Sequence, residues 1–172
     1  AFVLASASAL NIVIAGGTGR LGRALIPKLS DHDVTVLTRN AFLAATPSRV
    51  SSDFGHLGFS FLSNHPFVKL RDWDGGDLTD IVGQDWVGWQ DDVLKSADAL
   101  VYLVGGYTQQ RKMATERLVR ESIRINPDLL HVTVNPVEQD IPILSPGMVT
   151  VKTNPIKECE DMVKMNCLYS KC

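Results

Sequence analysis

A chain of 172 residues, 45% of them hydrophobic, is long enough to bury one sizeable core and suits a single domain over residues 1–172. A formal charge of −2 offers nucleic acid no basic footprint, and the apolar runs are too short to cross a bilayer, so both of those roles are set aside. Cys159, Cys167 and Cys172 have neither C-x-x-C spacing nor neighbouring histidines, which argues against a metal site and reads as free thiols of a reducing compartment.

The chain opens on AFVLASASAL and carries no acidic residue before Asp31. Such a start suits a frayed approach to a first strand, or the stub of a processed transit peptide, which would mean the plastid stroma rather than the cytoplasm. The scarcity of arginine favours the first. A strand is expected at Asn11 to Ala15, then a glycine-rich turn, then a helix from Arg20 to Ser30. That helix would turn Leu21, Ala24, Leu25 and Leu29 inward, and Pro27 would bend it without ending it. Asp33 to Thr38 reads as the second strand.

Asn40 to Pro66 is a long connection or insertion holding Phe54, Leu57, Phe59, Phe61 and Leu62. A connection of this length is usually functional or disordered. Its aromatics fold back as a small satellite core, with or without a short helix, or the stretch from Phe54 to Phe67 docks on a protein partner; the first is preferred. Strands follow at Phe67 to Arg71, Ala99 to Val104 and Leu129 to Asn135, with a last one starting near Leu168. The helix Gln109 to Ile125 puts Ala114, Leu118, Ser122 and Ile125 on a core stripe and leaves Glu116 and Arg120 exposed. Another helix would be capped by Asn154, with Pro155 at its first position. The alternation of strands and helices implies an α/β fold, a doubly wound parallel sheet with helices on both faces.

The chemistry concentrates at the first turn. Gly16, Gly19 and Gly22 are spaced three apart, and Gly17, Gly19 and Gly22 satisfy G-x-G-x-x-G between a strand and a helix, the context a dinucleotide-binding turn requires. Gly16, Thr18, Gly19, Arg20, Leu21 and Gly22 would form it, with amides near Gly19, Arg20 and Leu21 aimed at a pyrophosphate. Where an NAD site wants an acid after the second strand, this chain has Thr38, Arg39 and Asn40. A guanidinium at Arg39 suits the 2'-phosphate of NADP, so NADP is expected in preference to NAD. Asp74 or Asp77 could accept a hydrogen bond from the adenine, or serve the turn. Gly105 and Gly106, after the fourth strand, would let ribose and nicotinamide approach the backbone.

The runs NIVIAGGTGRLGRAL and VTVLTRN, the Trp73-Asp74 pair, and ADALVYLVGG ahead of a helix resemble the extended and atypical short-chain dehydrogenase/reductase superfamily. The nucleoside-diphosphate-sugar epimerase-like branch is the nearest in pattern, with isoflavone-reductase-like and NmrA-like NADP-binding proteins beside it. The resemblance implies an NAD(P)-binding Rossmann fold. It also implies a Tyr-x-x-x-Lys pair on a late helix, whose tyrosine exchanges a proton with substrate while the lysine lowers its pKa and holds the nicotinamide ribose. Here Lys157 takes the lysine position, whereas Thr153 stands where the tyrosine belongs. A threonine hydroxyl is too weak an acid for that task. The serine expected after the fifth strand is also missing, since Pro136 follows Asn135. Extended members continue for another lobe that builds most of the substrate pocket; that lobe is expected to be absent or truncated here.

Two readings of function follow. In the first, the chain binds NADP(H) without the standard Tyr-Lys chemistry and acts as an accessory, assembly or regulatory subunit of a larger complex; the resemblance offers respiratory and photosynthetic complexes as settings. In the second it is an NADPH-dependent reductase or epimerase-like enzyme with a non-standard proton donor. His32, His56, His65 and His131 each read as structural or solvated, so none supplies that donor from sequence. A third, purely structural role would leave the glycines and Arg39 without a reason.

Overall fold

The structure is a computed structural model and describes residues 8–51, 55–57, 60–75, 88–104, 109–133, 159 and 161–165. Strand β1 (Asn11–Ala15) leads into α1 (Arg20–Leu25) and a 3-10 turn (Ile26–Leu29), then β2 (Asp33–Thr38) and α2 (Ala41–Ala45). A small hairpin, β3 (Arg49–Ser51) and β4 (Gly55–Leu57), precedes α3 (Phe61–Asn64) and β5 (Lys69–Asp72). The chain then forms α4 (Trp89–Leu94), β6 (Ala99–Tyr102), α5 (Gln109–Ile125) and β7 (Leu130–Thr133).

Five strands pair in the order β5-β2-β1-β6-β7, all parallel, so the direction of winding reverses between β1 and β6. This is a Rossmann-type α/β fold, and the reversal opens a crevice at the strands' carboxyl ends. Parallel strands covered on both faces read as continuous apolar runs, and Ile12 to Ala15 are all buried. Alternate side chains feed two cores. Ile12, Ile14, Val34, Val36 and Val101 pack with Ile26 and Phe61 on one face. Val13, Ala15, Leu37, Leu100 and Tyr102 pack with Trp89, Leu94, Ala114 and Leu118 on the other. In that second core Trp73 and Trp89 meet edge to face at 5.5 Å, and the Trp89 indole nitrogen is buried without an acceptor among the described residues.

Strands β1 and β2 and helix α5 span the expected residues, and Ala114, Leu118 and Ser122 are fully buried along α5. Glu116 and Arg120 are exposed, as the pattern required. The first helix differs in two ways. Its α-helical part stops at Leu25, and Pro27 sits in the first positions of the 3-10 turn, because proline has no N–H to continue the α-helical ladder. Its buried positions are Gly22 and Ile26, spaced one turn apart, with Leu25 and Leu29 packed partly buried against the same core as expected, whereas Leu21 is 58% exposed and Ala24 also faces out. The helix lies so close to the turn that only the glycine face can be apposed, which rotates Leu21 away.

Residues 40–66 carry more order than a long loop. Asn40 caps α2, its side chain accepting from the Leu43 amide at 2.8 Å. Phe61 is wholly buried in the same core as Ile14 and Ile26, so the expected satellite core is an extension of the main one. Phe61 is thus buried within this chain's own core, while Phe54 and Phe59 lie outside the described residues. Helix α4, absent from the sequence expectation, buries Trp89, Val93 and Leu94. Asn126 ties its end to the sheet layer by donating to the Leu94 and Ala97 carbonyls at 3.1 and 2.8 Å. Strands β5, β6 and β7 are shorter than the expected spans or shifted within them. Residues 161–165 are helical, as is 159, while the cap at Asn154 and the strand near Leu168 fall outside the described residues. Among the described residues no helix is long and apolar enough to cross a membrane.

Candidate functional site

The crevice at the strand ends is built first by the turn after β1. Gly16 has φ +80°, a left-handed value that favours glycine, and a Cβ there would stand 2.6 Å from the Leu103 carbonyl oxygen. A Cβ at Gly17 would meet a Val36 methyl at 2.8 Å, and one at Gly22 would stand 2.0 Å from the Gly17 carbonyl oxygen. These three glycines are thus explained by packing alone: the turn is folded down on the exits of β2 and β6, and α1 is pulled onto the turn.

Gly19 is different. Its φ of −74° and ψ of 179° suit any residue, and its Cβ would meet only the Gly16 carbonyl oxygen at 3.3 Å. That contact is tight, but it is the mildest of those at the four glycines of the turn. The Gly19 amide donates to Gly16 O at 3.1 Å, so it is used inside the turn rather than aimed outward, contrary to the expectation for it. The amides of Arg20, Leu21 and Gly22 have no acceptor among the described residues. Arg20 and Leu21 stand exposed at the start of α1, and Thr18 is half-buried.

Arg23, which the sequence reading passed over, braces the turn. Its Nε donates to the Thr18 carbonyl at 3.0 Å and its guanidinium lies 5.2 Å from the Phe61 ring centroid. The insertion is thereby joined to the glycine turn. His65 packs against Phe61 at 5.0 Å between ring centroids, and burial, aided by the Arg23 charge, pushes its pKa below the ordinary imidazole value.

The exits of β2 and β5 lie side by side. The Trp73 amide donates to the Thr38 carbonyl at 3.1 Å, and the Asp72 carboxylate accepts from the Ala41 amide. At the end of β2, Thr38 Oγ1 accepts from the Asn40 amide, and Asn40 caps α2. Arg39 is exposed, and its stem runs across Gly75, where a Cβ would stand 2.9 Å from Arg39 Cδ. Asp74 is buried, and its carboxylate takes a hydrogen bond from Arg117 Nε at 3.1 Å. Arg117 also reaches Glu121 at 2.6 Å, and Arg124 reaches the same carboxylate at 2.8 Å. The pairing across 43 residues left no signal in the local sequence.

At the exit of β6, Leu103 and Val104 back onto Gly16. Tyr102, one residue earlier, hydrogen-bonds His131 Nδ1 through its hydroxyl at 2.6 Å, and burial lowers the His131 pKa. The neutral ring this favours can accept the phenolic proton. Gly105, Gly106, Asp77, Thr153 and Lys157 lie outside the described residues. The structure therefore brings together Gly16, Thr18, Gly19, Arg20, Leu21 and Gly22 in one turn, with Arg39 and Asp74 at a neighbouring pair of exits.

No family model matches the chain, and no curated protein matches it in sequence. Among solved structures it is similar to AtPrR2 with NADP+ and (+)pinoresinol, at a TM-score of 0.58 and 14% identity, over 96% of this chain and 48% of that one. The chain thus spans about half the length of that neighbour, and the likeness is one of fold: a Rossmann-type parallel sheet.

Proposed function

We propose that this chain binds NADP(H) across the carboxyl ends of β1, β2 and β6 and acts through binding rather than through standard tyrosine-dependent chemistry. The observation that carries the reading is Gly19, an exposed glycine with ordinary φ whose Cβ contact, 3.3 Å to the Gly16 carbonyl oxygen, is much milder than those at the turn's other glycines. Its bare Cα would let a ligand come close to the backbone. The amides of Arg20 and Leu21 would donate to pyrophosphate oxygens, with the Arg20 charge beside them. Arg39 would meet the 2'-phosphate. Gly105 and Gly106 would admit the ribose and nicotinamide, and Lys157 would hold that ribose. When bound, the nicotinamide supplies a site for hydride transfer. Support for the cofactor also comes from the neighbour of similar fold, whose structure contains NADP+.

Thr153, in the place where the superfamily pattern has tyrosine, supports an accessory, assembly or regulatory role in a larger complex. A partner would dock through the stretch from Phe54 to Phe67. The second reading, a reductase with a non-standard proton donor, predicts NADPH consumption, lost in Lys157→Ala. The first experiment is a thermal-shift titration with NADP(H) and NAD(H). A shift for NADP(H) that Gly19→Val removes and Arg39→Ala weakens supports the cofactor site, and no shift with any nucleotide refutes it.

A further inference from the structure

We infer that Gly75, held by the buried Asp74–Arg117 pair, decides the preference for NADP over NAD by seating Arg39, without itself touching the nucleotide. The inference rests on the NADP(H) reading above and adds to it a positioning residue in the β5 exit. Gly75 is buried at φ +64°, and an ideal Cβ would fall 2.9 Å from Arg39 Cδ and 3.1 Å from Cγ. The aliphatic stem of Arg39 therefore lies on the bare Cα of Gly75. A long exposed arginine otherwise spreads over many rotamers, and fixing it on binding a phosphate would cost affinity. The glycine seat removes much of that cost beforehand.

The seat is itself fixed. On its N-terminal side Asp74, with a side chain 3% exposed, is bound by Arg117, which α5 carries and Glu121 holds in turn. One residue further back, the Trp73 amide is bonded to Thr38 O, so the β5 exit cannot slide against β2. Buried ion pairs contribute little net stability against an apolar replacement, whereas they do fix geometry. Here the geometry they fix is that of the residue under Arg39. A 2'-phosphate would gain from a pre-positioned guanidinium, and a free 2'-hydroxyl would gain far less, so a displaced seat lowers NADP+ affinity and spares NAD+.

The test is calorimetric titration of the full chain with NADP+ and NAD+, for wild type, Gly75→Ala, Gly75→Asn and Arg117→Lys. Asparagine tolerates positive φ yet brings the same Cβ, so it separates loss of the seat from backbone strain and keeps the test alive if the alanine variant does not fold. Gly75→Asn should bind NADP+ about tenfold more weakly, the scale of one charge-assisted hydrogen bond, with NAD+ unchanged. Arg117→Lys should move the ratio in the same direction. In an Arg39→Ala background the Gly75 substitution should have no further effect on the ratio. A folded Gly75→Asn that keeps the wild-type ratio of NADP+ to NAD+ affinity overturns the inference and leaves the nucleotide reading standing. Wild type that binds neither nucleotide overturns both, and wild type that binds the two equally overturns the assignment to Arg39 and this inference with it.

Discussion

Gly19 and Gly22 look alike in the sequence and should behave in opposite ways when each is changed to alanine. At Gly22 the new methyl would stand 2.0 Å from a backbone carbonyl oxygen that has no side-chain freedom to yield. Relief requires α1 to lift off the turn by more than 1 Å against a close-packed core, so a loss of about 3 kcal/mol or more is expected. At Gly19 the nearest atom is 3.3 Å away and φ is already ordinary. The contact is tight, but alanine also reduces the freedom of the unfolded chain by about 0.4–1 kcal/mol, so the net change should stay within about 1 kcal/mol of zero. Urea unfolding of both variants gives the two stabilities, and NADP+ titration gives the binding. Gly19→Ala should fold like wild type and bind at least tenfold more weakly, ~1.4 kcal/mol or more. If Gly19→Ala is as destabilised as Gly22→Ala, the turn needs that glycine for itself and the ligand argument is wrong. If it is stable and binds NADP+ like wild type, the Gly19 Cα is not facing the nucleotide.

Two further outcomes are expected. Phe61→Ala should cost about 3–5 kcal/mol in urea unfolding, while Phe42→Ala, at a site 76% exposed, should stay within about 0.5 kcal/mol of wild type; equal effects would show that the insertion is not part of the main core. Stability should also fall on acidification. His65 and His131 are held below the ordinary value of 6.5, chiefly by burial, so below that pH the unfolded chain binds more protons than the folded one. The stability is therefore present above pH 6.5 and is lost as pH falls below it, and urea midpoints measured at about pH 7.5 and about pH 5.5 should differ in that sense. A double variant, His65→Asn with His131→Asn, should flatten the dependence; an unchanged slope would place the titrating groups elsewhere.

The parts of the fold that were legible are those where one physical pattern acts alone. Strand β1 is a near-continuous apolar run, β2 sets Val34, Val36 and Leu37 among β-branched threonines, and α5 repeats its apolar positions over 17 residues. Helix α4 was missed because six residues give fewer than two turns of periodicity. The inward face of α1 was misjudged because hydrophobicity suggested Leu21, whereas the closeness of the turn selects Gly22. At the candidate site the glycine spacing and Arg39 could be read directly. Arg23, Arg117 and Gly75 could not, since each acts through a partner that only folding supplies: Thr18 and Phe61, Asp74, and the stem of Arg39.

The edge-to-face contact of Trp73 and Trp89 has an optical consequence. Both rings are buried, and the indole N–H of Trp89 has no acceptor among the described residues, so its excited state lies in an apolar setting and should emit at the blue end of the tryptophan range. Unfolding would expose it to water and shift that emission to the red. Trp73 stands next to Asp74 and two residues before Gly75, so a change at the β2 and β5 exits would alter its ring's surroundings directly. The chain thus contains an unlabelled fluorescence probe for its own core and for the place where Arg39 is seated.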